Sequence, residues 1–262
     1  MTIAERLATY KERGFQPETA AINVLLEEAL QIIVSNFPDF FVFFGGASLV
    51  LFYGSPRHSG DLDLLTNHET PPSADELVKV LEQPLSATAE ILGFPNLKIE
   101  PARATGQFLK LAVKSGERFL FTIDLTKIGS VIKSELVNFK IASDLSEPIT
   151  VTVPSPNLLL LFKAETFLSR PFLKARDAFD IKLLRDSGAS LDINLRAHLQ
   201  DGSAAEKLED AESIAKRIDR VNSKTCKAEL EAYLPKALYQ NLEKADFEPL
   251  RQALRELFSE WL

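Results

Sequence analysis

Apolar positions recur along this chain in two rhythms, and the rhythm changes near residue 155. Residues 1–35 read as helical. "FFVFF", residues 40–44, is a short apolar run that stops at Gly45-Gly46, which predicts a buried strand. "ASLVLFY", residues 47–53, suits a short helix, and "DLDLL", residues 61–65, reads as a second strand. Ser73 with Glu76 three residues later is a capping box and opens a helix over residues 73–85. Residues 106–126 predict a hairpin of two strands around Lys114-Ser115-Gly116-Glu117, and "ITVTV" (149–153) predicts a further strand. Ser155-Pro156 is an N-cap followed by proline at the first helical position, and the pattern stays helical from there on. The expected architecture is a mixed α/β domain over residues 1–154 and a helical domain over 155–262, with neither repeats nor low-complexity segments.

Composition narrows this picture only slightly. The 262 residues suffice for one large domain or two. Hydrophobic residues at 45% and charged residues at 26% are ordinary for a soluble globular chain. Cys226 is the single cysteine, so no intrachain disulfide exists. The first residues carry no secretory leader pattern, and the apolar runs are far too short to cross a bilayer, so we expect a cytoplasmic protein. The net charge of −7 argues against a generic nucleic-acid coat, though not against a local basic cleft.

The candidate chemistry begins with Asp61 and Asp63, two carboxylates inside an apolar run. Strand geometry points both to one face, about 6–7 Å apart, with Leu62 and Leu64 on the other. Such a pair can hold a hard cation, especially Mg²⁺ with phosphate ligands; the plain alternative is a solvent-facing pair on an edge strand. Gly45-Gly46 lets the backbone approach a ligand closely at a helix start, or is simply a tight turn. "FLFTIDLT" supplies a third carboxylate, Asp124, expected on one face with Leu120 and Thr122 and opposite Phe119, Phe121 and Ile123. A neighbouring strand could bring it beside the first two. Three clustered carboxylates repel one another unless cations relieve them. Lys163 interrupts "LLLLFKAETFL", where a lysine either snorkels or meets an anion.

"SRPFLKARDAFDIKLLRDSG" (169–188) has its own pattern. Pro171 is expected to start a helix, with Phe172, Ala175, Phe179 and Leu183 as its core stripe. Asp177 and Asp180 would be surface neighbours, plainly read as a solvated face with an Arg176–Asp180 pair. Lys174, Arg176, Lys182 and Arg185 make the segment locally basic. His58 and His68 read as loop residues and His198 as a helix-surface one; no zinc spacing and no Ser-His-Asp pattern stands out.

"FFGGASLVLFYGSPRHSGDLDLL" resembles the opening motif of the nucleotidyltransferase superfamily, and is especially similar to the AbiEii/AbiGii toxin family. There, Gly-Gly-Ser/Thr-Ala-Leu leads to Arg-x-Ser-x-Asp-Leu-Asp. Arg57, Ser59, Asp61 and Asp63 match directly, whereas Ala47-Ser48 reverses the family's order. The family's later block, a helical lysine followed by Arg-Asp-x-x-Asp, is matched by Lys163 and by Arg176, Asp177 and Asp180. The resemblance spans roughly residues 40 to 186. It implies a mixed β-sheet with flanking helices, followed by a helical domain that completes the nucleotide site. It implies an enzyme that moves a nucleoside monophosphate from an NTP to an acceptor hydroxyl with two Mg²⁺ ions. Asp61, Asp63 and Asp124 would hold the metals, and Asp124 is the natural general base. Gly45, Gly46 and Ser48 would line the phosphate loop; Arg57 and Ser59 would steer phosphate oxygens; Lys163 would neutralise β/γ-phosphate charge; Asp177 would serve the nucleotide side. The implied partners are the NTP, an RNA acceptor resembling transfer RNA, and a cognate antitoxin, with no membrane. The alternatives are a small-molecule or protein nucleotidyltransferase, and a non-catalytic nucleotide-binding protein that keeps the fold.

Overall fold

The computed structural model describes residues 1–129, 133–141, 148–191 and 210–261. It divides the chain into two compact units, Met1–Pro154 and Ser155–Leu262. His198 lies outside the described residues.

In the first unit, the helical opening is two helices, α1 (Ile3–Glu12) and α2 (Pro17–Asn36), separated at Gly14, which has φ +88°. A capping box of Thr2 and Glu5 starts α1, and Pro17 starts α2. Strand β1 (Val42–Phe44) leads directly into α3 (Gly45–Phe52), which is followed by β2 (Asp61–Thr66). The Ser73–Glu76 capping box opens α4 (Ala74–Ile91), which runs on through Pro84. Strands β3 (Leu97–Ala104), β4 (Phe108–Ser115) and β5 (Arg118–Lys127) follow, then β6 (Leu136–Ile141) and β7 (Ile149–Pro154).

Strands β1 to β5 form one mixed sheet in the order β1-β2-β5-β4-β3. β2 and β5 are parallel, and every other pair in it is antiparallel. One face is apolar: Phe43, Leu62, Leu64, Leu111, Val113, Phe121 and Ile123 pack with Leu25, Leu26 and Leu30 of α2 and Leu77, Leu81 and Leu85 of α4. The alternation of strand side chains leaves Asp61, Asp63 and Asp124 on the other face, each half-buried. β6 and β7 form a separate hairpin. Tyr53, just after α3, donates its hydroxyl to Pro154 O at 2.6 Å and packs edge-on against Phe139.

The β4–β5 hairpin contains a register shift at Val113/Lys114. Lys114 faces Phe119, but Val113 faces Phe121, so Leu120 is the extra residue of a bulge. The expected alternation fails at this point. Leu120 joins the core with Phe121 and Ile123, while Phe119 is 54% exposed.

The second unit is helical where described: α5 (Pro156–Ser169), α6 (Ala175–Asp186), α7 (Ala211–Asp219), α8 (Ser223–Leu230), α9 (Lys236–Lys244) and α10 (Glu248–Trp261). Ser155 caps α5 by accepting from the Leu158 amide. Phe167 stacks on Phe258, and the buried Arg217 donates to Phe167 O and Arg170 O at the end of α5. Pro171 does not start α6. The helix begins four residues later, at Ala175, so Phe172 is exposed rather than part of the core stripe.

Candidate active site

The first-unit site forms where β1 gives way to α3 beside β2. Gly45 has φ +77°, a conformation that glycine adopts without steric cost. A Cβ on Gly45 would overlap Asp63 Oδ2, and one on Gly46 would overlap the Arg57 guanidinium and lie 2.7 Å from Ser59 Oγ. The glycine pair is therefore more than a tight turn: Asp63, Arg57 and Ser59 occupy the space that side chains would need. Ser48, fully buried, donates its hydroxyl to Gly45 O at 2.8 Å and so braces the same turn.

Arg57 is not a surface loop residue. It is 3% exposed, and its Nη1 donates to His58 O at 2.8 Å. Ser59 is likewise buried. Of the neighbouring histidines, His58 Nδ1 meets Asn23 Oδ1 at 3.3 Å, and His68 stacks on Phe40.

Strand register assembles the carboxylates. Asp63 stands directly opposite Asp124 in the parallel β2–β5 pair, and Asp61 stands opposite Thr122. Thr122 Oγ1 donates to Asp61 Oδ1 at 2.9 Å, which fixes that carboxylate. Lys110 on β4 is opposite Asp124, and Arg103 on β3 is opposite Lys110. Directly opposed residues share a face. One row across the sheet therefore reads Asp63, Asp124, Lys110, Arg103: two carboxylates, then two cations. Lys110 Nζ is 2.8 Å from Asp124 Oδ2, while Asp124 Oδ1 is buried with no hydrogen-bond partner.

This donor set consists of hard oxygens, which suit a divalent cation of the Mg²⁺ type. Among the described residues, no three His, Cys, Asp or Glu side chains are gathered to hold an ion together. Lys110 already takes one oxygen of the third carboxylate. The residues that fit a cation are Asp61 and Asp63, neighbours on one face of one strand.

The second unit holds a charge cluster of its own. Lys163 Nζ lies 2.7 Å from Asp180 and 3.2 Å from Asp177, and Arg170 Nη1 lies 3.2 Å from Asp177. Asp177 is 3% exposed and Asp180 is fully buried, so they do not form the solvated face expected from their spacing. Arg176 pairs with Glu229 and lies over the Tyr233 ring instead of meeting Asp180. Lys163 is neither snorkelling nor an unmatched cation: two carboxylates hold its ammonium.

The basic segment is also less available than its composition suggests. Arg176 pairs with Glu229, Lys182 with Asp186, and Arg185 with Glu260 through both terminal guanidinium nitrogens, Nη1 and Nη2. Lys174 has its ordinary value lowered, first by burial and then by the nearby charges of Arg170 and Arg176.

The residues that pattern reading missed are Thr122, Lys110 and, as a buried ion-pair partner, Asp180. A lysine within the apolar run "FLKLAV" was a signal for Lys110. Unbroken hairpin pairing, however, would have set Leu109 opposite Asp124; the bulge brings Lys110 there.

A family model described as the nucleotidyl transferase AbiEii toxin of type IV toxin–antitoxin systems matches residues 28–260. The chain belongs to this family and is a nucleotidyltransferase. Among solved structures, it is similar to a candidate nucleotidyltransferase from H. pylori, with a TM-score of 0.51 and 17% identity over 90% of this chain and 96% of that one. It is similar to JHP933 from Helicobacter pylori at a TM-score of 0.51 and 16% identity, covering 91% and 94% of the two chains. MenT4, the nucleotidyltransferase toxin Rv2826c from Mycobacterium tuberculosis H37Rv, aligns at a TM-score of 0.47 and 18% identity, over 86% of this chain and 73% of that one. At these identities the Helicobacter likenesses concern the fold. No curated protein matches the chain. Among the described residues, no helix is long and apolar enough to cross a membrane.

Proposed function

We propose that the chain transfers a nucleoside monophosphate from an NTP to a hydroxyl on RNA, acting as the toxin of a toxin–antitoxin pair. The observation that carries this reading is the placement of Asp61, Asp63 and Asp124 on one sheet face, against a glycine turn that admits no side chain. Asp61 and Asp63 would hold divalent cations, Mg²⁺ in our reading. When bound, the metal supplies charge neutralisation for the triphosphate and the developing pyrophosphate.

The chain's own residues do the rest. Thr122 orients Asp61. Ser48 holds the Gly45-Gly46 turn, and Arg57 and Ser59 pack beneath it, so the backbone at the start of α3 can approach phosphate oxygens. Asp124 Oδ1, buried and without a partner, accepts the proton of the acceptor hydroxyl. The acceptor O–H bond breaks, the acceptor oxygen bonds to the α-phosphorus, and the bond from that phosphorus to the leaving pyrophosphate breaks. Lys163 and Asp177 are nucleotide-binding residues in our reading, Lys163 being held by two carboxylates.

RNA is the proposed acceptor because the carboxylate row continues into the exposed Arg103, which suits a phosphate backbone. The test is incubation of the purified chain with each α-labelled NTP, Mg²⁺ and total RNA. We expect label on RNA from one or more NTPs. Label on a small molecule or a protein, with none on RNA, would overturn the RNA acceptor and leave the carboxylate site standing.

A further inference from the structure

Asp124 stands between neighbours of opposite charge, Asp63 on the β2 side and Lys110 on the β4 side. Its two oxygens differ: Oδ2 lies 2.8 Å from Lys110 Nζ, and Oδ1 is buried without a partner. The lysine side chain is 33% exposed and the aspartate's 15%, so water screens the pair only partly. Three carboxylates on one face need positive charge, and Lys110 is a cation tethered in that row. The β4–β5 bulge sets it there, since the unbroken register would offer Leu109. A strand that changes register to set a lysine beside the third carboxylate limits what else that carboxylate can bind.

We propose that Lys110 is a positioning residue that sets the metal stoichiometry of the site. It occupies Asp124 as a tethered cation, so the resting site takes one divalent ion, on Asp61 and Asp63, and Asp124 is kept as a base rather than a ligand. This rests on the reading of Asp61 and Asp63 as the cation-holding pair. A second divalent ion at Asp124 would have to displace the ammonium or sit against it, and like charges at such range are strongly unfavourable. Any second ion would arrive with the triphosphate, whose oxygens supply ligands the protein lacks.

The experiment is a Mn²⁺ titration of the full chain without nucleotide, followed by electron paramagnetic resonance of free Mn²⁺. The wild type should bind one ion. Lys110→Met should bind a second, or bind the first about tenfold more tightly or better, the scale of removing a nearby like charge. Lys110→Arg, which keeps the charge, should behave as the wild type. Thermal melts verify folding, and Lys110→Gln replaces Lys110→Met if the latter does not fold. Wild-type stoichiometry and affinity in the charge-removed variant would overturn the role of Lys110, as would two ions on the wild type; in either case the Asp61–Asp63 reading survives. Absence of Mn²⁺ binding by the wild type would sink that reading, and this proposal with it. Loss of binding in Asp61→Asn but not in Asp124→Asn is the pattern that supports both.

Discussion

Asp63 Oδ2 lies where a side chain on Gly45 would begin. The carboxylate and the start of α3 are therefore fitted to one another, and neither can move alone. Gly45→Ala should strain a backbone held at φ +77° and push Asp63 aside. We expect a stability loss of about 1–3 kcal/mol and a fall in transfer of about a hundredfold, the scale of a small misplacement in an active site. Denaturant unfolding beside an initial-rate assay checks both; a variant with full activity would mean that Asp63 is not held by this turn.

Asp61→Asn and Asp63→Asn should each cost about a thousandfold or more in transfer, since several kcal/mol of metal-borne charge stabilisation go with them. Melting temperature in the absence of metal should hold or rise, because a like charge has been removed. A clear loss of stability would return these residues to a structural role.

Lys163→Met removes one partner from each of two buried carboxylates, Asp177 and Asp180, of which Asp177 keeps Arg170. Breaking a buried ion pair from one side costs about 3–5 kcal/mol. We therefore expect this variant to be among the least stable, and NTP affinity must be measured on its folded fraction. Lys163→Met with unchanged stability would show that the cluster is solvated after all.

The Cys226 thiol is fully buried, and burial pushes it up to about 12. Alkylation at pH 8 should report unfolding, with slow labelling of the native chain and fast labelling in denaturant. The folded thiol keeps its proton where the unfolded one loses it. Stability should therefore fall as pH rises from about 9, by at most roughly 1.4 kcal/mol per pH unit. Cys226→Ala should flatten that slope.

Much of this was legible in the chain. The glycine pair, the alternation in "DLDLL" and the capping box at Ser73 are local signals, and the structure places β1, β2 and α4 on them. The pairing of Asp63 with Asp124 was only anticipated, because parallel strands far apart in sequence leave no local trace of register. The bulge at Leu120 was illegible for a different reason, since a hairpin's turn does not disclose where one strand takes an extra residue, and it decides that Lys110 rather than Leu109 meets Asp124. The burial of Asp177 and Asp180 also escaped, since helical spacing places them together but cannot say which side the neighbouring helix covers. Its lysine, Lys163, is what makes two buried carboxylates tolerable.

The central claim is that the Asp61–Asp63–Asp124 face directs an acceptor hydroxyl to attack the α-phosphate of an NTP. It is tested most directly by running parallel reactions with α-labelled and γ-labelled NTP, Mg²⁺ and total RNA, for the wild type and Asp63→Asn. Nucleotidyl transfer predicts α-label on the acceptor and γ-label in free pyrophosphate, and it predicts that Asp63→Asn loses both. Transfer of the γ-label to the acceptor, or an Asp63→Asn variant that keeps the wild-type rate, would contradict the account.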